Sequence, residues 1–130
     1  MDHQMFKAMA FLPLAIALNT AAAEQVDSCY SEQGTLAINE CFDKKIAALK
    51  TDYDKKRNIF INRIVIQTDQ KKEFKSRENK VHQAWLLFIR KNCQMRAFSG
   101  GETFGPAYQG VYEECILNQY KDRIKFLTRV

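Results

Sequence analysis

Residues 36–67 read LAINECFDKKIAALKTDYDKKRNIFINRIVIQ. Phe42, Ile46, Leu49 and Tyr53, then Phe60 and Ile64 beyond a polar stretch at Lys56, recur at the three- and four-residue spacing of one helix face. The β-branched residues between 59 and 66 also suit a short strand. No second strand-like segment exists to pair with them, so the stretch predicts a helix running to about residue 67, with Thr35 after Gly34 as its N-cap.

Working outward, Thr68 and Asp69 break the pattern, and a second helix is predicted over 70–97 with Phe74, Val81, Trp85 and Phe88 on one face. Residues 99–110, SGGETFGPAYQG, hold four of the five glycines and Pro106, and read as a loop. A third helix, from about 107 to 128, carries Tyr112, Ile116, Tyr120, Ile124 and Leu127 as one stripe. Three helices with short connections bury such stripes by running antiparallel to their chain neighbours. The predicted fold is all-α: an antiparallel three-helix bundle with a long helical hairpin.

Upstream, Lys7 precedes an apolar run at 9–18, and Ala21, Ala22 and Ala23 supply the small residues that signal peptidase requires before Glu24. Residues 1–23 are therefore expected to be a cleaved signal peptide and 24–130 a single mature domain, exported to the periplasm or secreted. The apolar run falls well short of the roughly twenty residues that span a bilayer. No cysteine precedes Cys29, so no lipid-modified cysteine is expected. All four cysteines, Cys29, Cys41, Cys93 and Cys115, lie in the exported part, where an even number reads as two disulfides. A metal site is not expected, because C-x-x-C spacing is absent and His82 is the sole mature histidine. In a continuous helix Cys29 and Cys41 would stand about 18 Å apart, too far for a disulfide, so their pairing requires a fold-back near Gly34. Three pairings are open, and 29–41 with 93–115, closing the loops nearest in sequence, is preferred.

The net charge is +5 and the pI about 9.1, but the charge is uneven. Residues 54–80 hold nine cations (Lys55, Lys56, Arg57, Arg63, Lys71, Lys72, Lys75, Arg77 and Lys80) against Asp54, Asp69, Glu73 and Glu78, which alone gives +5. Residues 97–120 contain no Lys or Arg, only Glu102, Glu113 and Glu114. A basic hairpin tip therefore opposes a locally acidic end where the cysteines gather. The tip reads either as a solvated helical surface or as a contact for an anionic envelope polymer or lipid; no nucleic acid partner is expected of an exported chain.

No catalytic constellation is present. His82 lies one turn from Trp85, a packing or solvent-facing position rather than a catalytic one, and no G-x-S-x-G, H-E-x-x-H or phosphate-cradling glycine pattern occurs. Glu113 and Glu114 are adjacent and diverge on a helix, so they form no acid/base pair. The expectation is a binding protein without cofactor, not an enzyme.

Five features together, TLAINEC at 35–41, Trp85-x-x-Phe88-x-x-x-x-Cys93, Gly100-Gly101, Cys115 and Arg123-x-x-x-Leu127, resemble the LprI-type family of small bacterial lysozyme-inhibitor-like proteins. The resemblance covers about residues 29–127. It implies an exported helical protein with paired cysteines whose activity is inhibition of a lysozyme. Ile38, Ile89-Arg90 and Tyr120 depart from the residues usual in that family. Animal-type lysozymes are strongly basic, so a partner-binding surface is expected at the acidic end. There a disulfide-held loop would present Gly100, Gly101, Glu102 and Phe104, with Tyr108, Tyr112, Glu113 and Glu114 of the third helix. The aromatic residues serve as anchors and the glutamates meet basic groups of the partner.

Overall fold

The computed structural model describes residues 29–99 and 105–130; the expected signal peptide and Gly100, Gly101, Glu102 and Phe104 lie outside the described residues. A 3-10 turn at Cys29–Ser31 precedes three helices, α1 at Thr35–Ile66, α2 at Lys71–Ser99 and α3 at Pro106–Arg129. Residues 59–66 are helical, and no strand occurs among the described residues.

Gly34, not Thr35, occupies the N-cap of α1, and no side chain caps the helix. The cause is the fold-back. At φ +89° Gly34 stands in the left-handed region, which costs glycine little, and its carbonyl accepts the Ile38 amide at 3.1 Å. The chain thereby reverses between the 3-10 turn and α1, and Cys29 reaches Cys41 with a Cα separation of 5.7 Å. At the other end of α1 the Gln67 amide returns to the Ile64 carbonyl, and the Thr68 hydroxyl accepts the Gln70 amide at 3.2 Å, making the short turn into α2.

Both α1 and α2 pack chiefly on α3 and much less on each other. Tyr53 of α1 meets Tyr120, and Trp85 of α2 meets Tyr120, with centroid separations of 5.6 and 5.2 Å and both pairs edge-on. Tyr53 also tilts against Trp85 at 5.1 Å. These three rings, with Phe42, Ile46, Ile89, Ile116, Leu117 and Leu127, form the centre of one core. The predicted α3 stripe is the observed one, with Ile116, Tyr120 and Leu127 buried and Tyr112 and Ile124 packed at its edge. On α2 the face differs from expectation. Ile89, Cys93 and Ala97 are buried, whereas Val81 and Phe88 are 54% and 58% exposed. The reason is a rotation of about 100° per residue: the core row 78, 82, 85, 89, 93, 97 lies one step away from Val81 and Phe88. Near the tip of α1, Ile61 and Val65 are buried rather than Phe60 and Ile64. Ile61 lines a recess with Lys75 and Asn79 of α2 there, while Phe60 stays partly buried at the edge of the core with its ring 6.4 Å from that of Phe74.

Cys93 and Cys115 form the second disulfide, with a Cα separation of 5.5 Å. Both bridges stand at the end where α1 and α3 begin, as the up-down-up order requires. At 1.5 Å per residue α1 is about 48 Å long and α3 about 36 Å, so the turn end of the α1–α2 hairpin is left to project.

Candidate functional site

The end expected to be acidic is built around the first disulfide, and the fold corrects its charge: Lys44, Lys45 and Lys50 of α1 and Arg90, Lys91 and Arg96 of α2 join the glutamates there, so the acidic character is confined to α3. Cys29 is wholly buried and fixes Tyr30 over α3, where the ring lies edge-on to Phe42 at 5.5 Å. A Cβ at Gly110 would stand 3.1 Å from Cε1 and 3.2 Å from the hydroxyl of Tyr30, so the absence of a side chain there admits the ring. The Tyr30 hydroxyl donates to Glu114 Oε2 at 3.2 Å. Burial, then the Glu114 charge, raises the Tyr30 pKa and keeps this donor protonated. Glu114 is thus held by the chain's own fold-back turn.

Because α1 and α2 are spread by α3, a groove of about 270 Å³ opens beside it. Asp43, Ile46 and Lys50 line it from α1, Ile89 and Arg90 from α2, and Tyr112, Glu113 and Ile116 from α3. Glu113 is 5% exposed. One carboxylate oxygen accepts from the Gln109 amide, and the other, Oε2, is buried without a hydrogen-bond partner. Burial raises the Glu113 pKa, Asp43 adds to the rise, and the Gln109 hydrogen bond opposes it. Such a carboxylate is ionised most readily when a cation joins it. Next to it the rings of Tyr108 and Tyr112 lie parallel within 3°, their centroids 6.4 Å apart, which is an offset stack.

The structure therefore brings Tyr108, Tyr112 and Glu113 together, but it turns Glu113 into the groove and engages Glu114 with Tyr30 instead of presenting both outward. Sequence reasoning missed Asp43, Lys50 and Arg90. Asp43 and Lys50 flank Ile46 at i−3 and i+4, a signal visible once the α1 stripe is drawn.

A family model described as "Lysozyme inhibitor LprI" matches residues 26–127. The chain belongs to this family. No curated protein matches it, and no solved structure does. Of the positions at which this LprI chain departs from the usual residues, Ile89 and Tyr120 are buried and Ile38 packs against the core. Those three departures are matters of core packing, whereas Arg90 is exposed and lines the groove.

At the opposite end of this LprI protein, the basic residues divide into two sets. Arg57 is structural: its guanidinium forks onto both carboxylate oxygens of Glu78, through Nε at 2.8 Å and through a second nitrogen, and also reaches Asn79. The side chains of this pair are only 14% and 10% exposed. Arg77 pairs with Glu73 one turn away in an exposed i,i+4 bridge. Lys55, Arg63, Lys71, Lys72, Lys75 and Lys80 are exposed, and Lys56 is half-buried. His82 is a packing residue. It stacks on Tyr53 at 5.5 Å, and its Nδ1 lies 2.8 Å from the Tyr53 hydroxyl. Burial, followed by the Arg57 charge, lowers its pKa, which favours the neutral ring in this hydrogen-bonded pair. Among the described residues no helix is long and apolar enough to cross a membrane.

Proposed function

We propose that this protein is an exported, non-enzymatic inhibitor that binds a lysozyme-type hydrolase through its disulfide-bound end. Family membership supports the class of activity. The observation that supports the surface is the buried, unpartnered Glu113 Oε2 in a groove lined also by Asp43 and, at its edges, by Lys50 and Arg90. A lysine or arginine of a basic partner entering the groove satisfies that oxygen with a charge-assisted hydrogen bond. Tyr108 and Tyr112 beside it act as preordered aromatic anchors, because two rings fixed on a helix lose little rotamer freedom on binding.

The surface is tested by calorimetry against an animal-type lysozyme. Asp43→Asn, Glu113→Gln and Tyr108→Ala each weaken binding tenfold or more, whereas charge reversal at Lys71, Lys72 and Lys75 leaves it within twofold. The opposite pattern overturns the assignment. The exposed lysines of the tip favour a second reading, attachment to an anionic envelope polymer or lipid. In that case the triple reversal abolishes cosedimentation with wall material or anionic vesicles, and an unchanged pellet refutes it.

A further inference from the structure

A second recess, apolar and remote from the disulfide-bound end, lies where α3 finishes against the hairpin. Phe60 of α1, Phe74 and Val81 of α2, and Phe126 and Leu127 of α3 line a cleft of about 400 Å³, within the size range of small-molecule sites. Val81 and Phe126 are more than half exposed at its mouth. Its charged lining consists of Arg77, Arg123 and Glu78. Glu78 is neutralised from the α1 side by the Arg57 fork, so the charge left for an occupant is positive.

Arg123 is placed to receive it. Its guanidinium lies over the Trp85 ring at 5.8 Å and the Phe126 ring at 5.1 Å, and its Nε is buried without a hydrogen-bond partner. The Tyr53 side chain lies within its reach, but the guanidinium forms no ion pair among the described residues. Arg77 is engaged only by the exposed Glu73 bridge, the kind of pair that contributes little and yields readily to a competing anion.

We propose that this cleft binds a single-chain anionic amphiphile: a hydrocarbon tail among Phe60, Phe74, Val81, Phe126 and Leu127, with a carboxylate or phosphate on Arg123 and Arg77. The apolar lining matches an acyl chain, and the two guanidinium groups match one anionic head. A second copy of this chain is a poorer occupant. Its approach would bring together two tips that each carry the +5 of residues 54–80.

The test uses the mature full-length protein and sodium laurate below its micelle concentration. Binding is followed by calorimetry and by the emission of the single tryptophan, Trp85, which lies against Arg123. Laurate binds 1:1 and saturably, and dodecyltrimethylammonium, with the same tail and the opposite charge, binds at least tenfold more weakly. Arg123→Gln and Val81→Phe, which fills the mouth, each weaken laurate tenfold or more with unchanged circular dichroism. If Arg123→Gln loses helicity, Val81→Phe and Arg77→Gln at exposed positions carry the same comparison. Phosphatidylglycerol vesicles separate the sources: competition between laurate and vesicles shows that lipid in a membrane reaches the same site, and its absence assigns the site to free amphiphile. The proposal is overturned if laurate fails to saturate folded protein, if both head groups bind alike, or if vesicles bind while monomeric laurate does not. A dimer dependent on Val81 and Phe126 that takes up no laurate also overturns it.

Discussion

At the scale of single residues, three side chains fix how the molecule answers to pH and to substitution. His82 has a lowered pKa in the folded protein. Its contribution is therefore complete above the ordinary value of 6.5 and declines as pH falls through it, because the unfolded chain takes up the proton first. Thermal unfolding from pH 8 to pH 5 should show a loss of stability that His82→Gln diminishes; an identical pH profile for the two proteins contradicts this assignment. Glu113 has the opposite sign. Its raised pKa gives stability that is present below pH 4.5, its ordinary value, and is lost as pH rises through the folded value. Glu113→Gln should thus raise the melting temperature at pH 7 and leave it unchanged near pH 4, while weakening lysozyme binding. A residue that stabilises when replaced yet is needed for binding is a functional residue by its energetics. Gly110 is the third. An alanine there meets the Tyr30 ring at 3.1 Å, but Tyr30 is 46% exposed and can yield, and alanine favours the helix by about 1 kcal/mol over glycine. Gly110→Ala should therefore stabilise more in a chain that also carries Tyr30→Ala than in one that keeps Tyr30, as a double-mutant cycle in denaturant would show.

At the scale of elements, the helices were legible in the sequence and their faces only partly so. The α1 row of Phe42, Ile46 and Tyr53 and the α3 row of Ile116, Tyr120 and Leu127 could be read because large apolar residues recur there without competing rows. On α2 they do compete: Val81 and Phe88 suggest one row, whereas the core uses Ile89, Cys93 and Ala97. Small residues carry little hydropathy signal even though they allow α3 to approach closely. The disulfide preference could be read from loop length and is the observed pairing. What could not be read was the groove, because it exists only where α3 separates α1 from α2. For the same reason the inward turn of Glu113 was not legible. Two interactions hold this arrangement from opposite ends. Reducing Cys93–Cys115, or replacing both residues with serine, should lower stability by about 2–4 kcal/mol. At the tip, Arg57→Ala leaves Glu78 poorly exposed without its partner and should cost about 3 kcal/mol, readable as a shifted denaturation midpoint with unchanged slope. Arg77→Ala, at the exposed bridge, should cost less than about 1 kcal/mol.

At the scale of the whole molecule, charge and covalent staples are divided between two ends. The net +5 belongs to residues 54–80, whereas residues 97–120 carry three glutamates and no cation. Lys44, Lys45 and Lys50 of α1 and Arg90, Lys91 and Arg96 of α2 stand at the same end as those glutamates, so a basic lysozyme is repelled by the tip and meets a surface of mixed charge at the stapled end. The net +5 of the chain repels a basic partner overall, so association should quicken as salt rises and screening weakens that repulsion. The central claim is that the disulfide-bound end blocks a lysozyme, and turnover of a cell-wall substrate by an animal-type lysozyme at low salt tests it most directly. Micromolar mature protein is predicted to reduce the rate to near zero with one-to-one stoichiometry, and Asp43→Asn with Glu113→Gln to restore it. An undiminished rate in the presence of excess folded, oxidised protein would contradict the account.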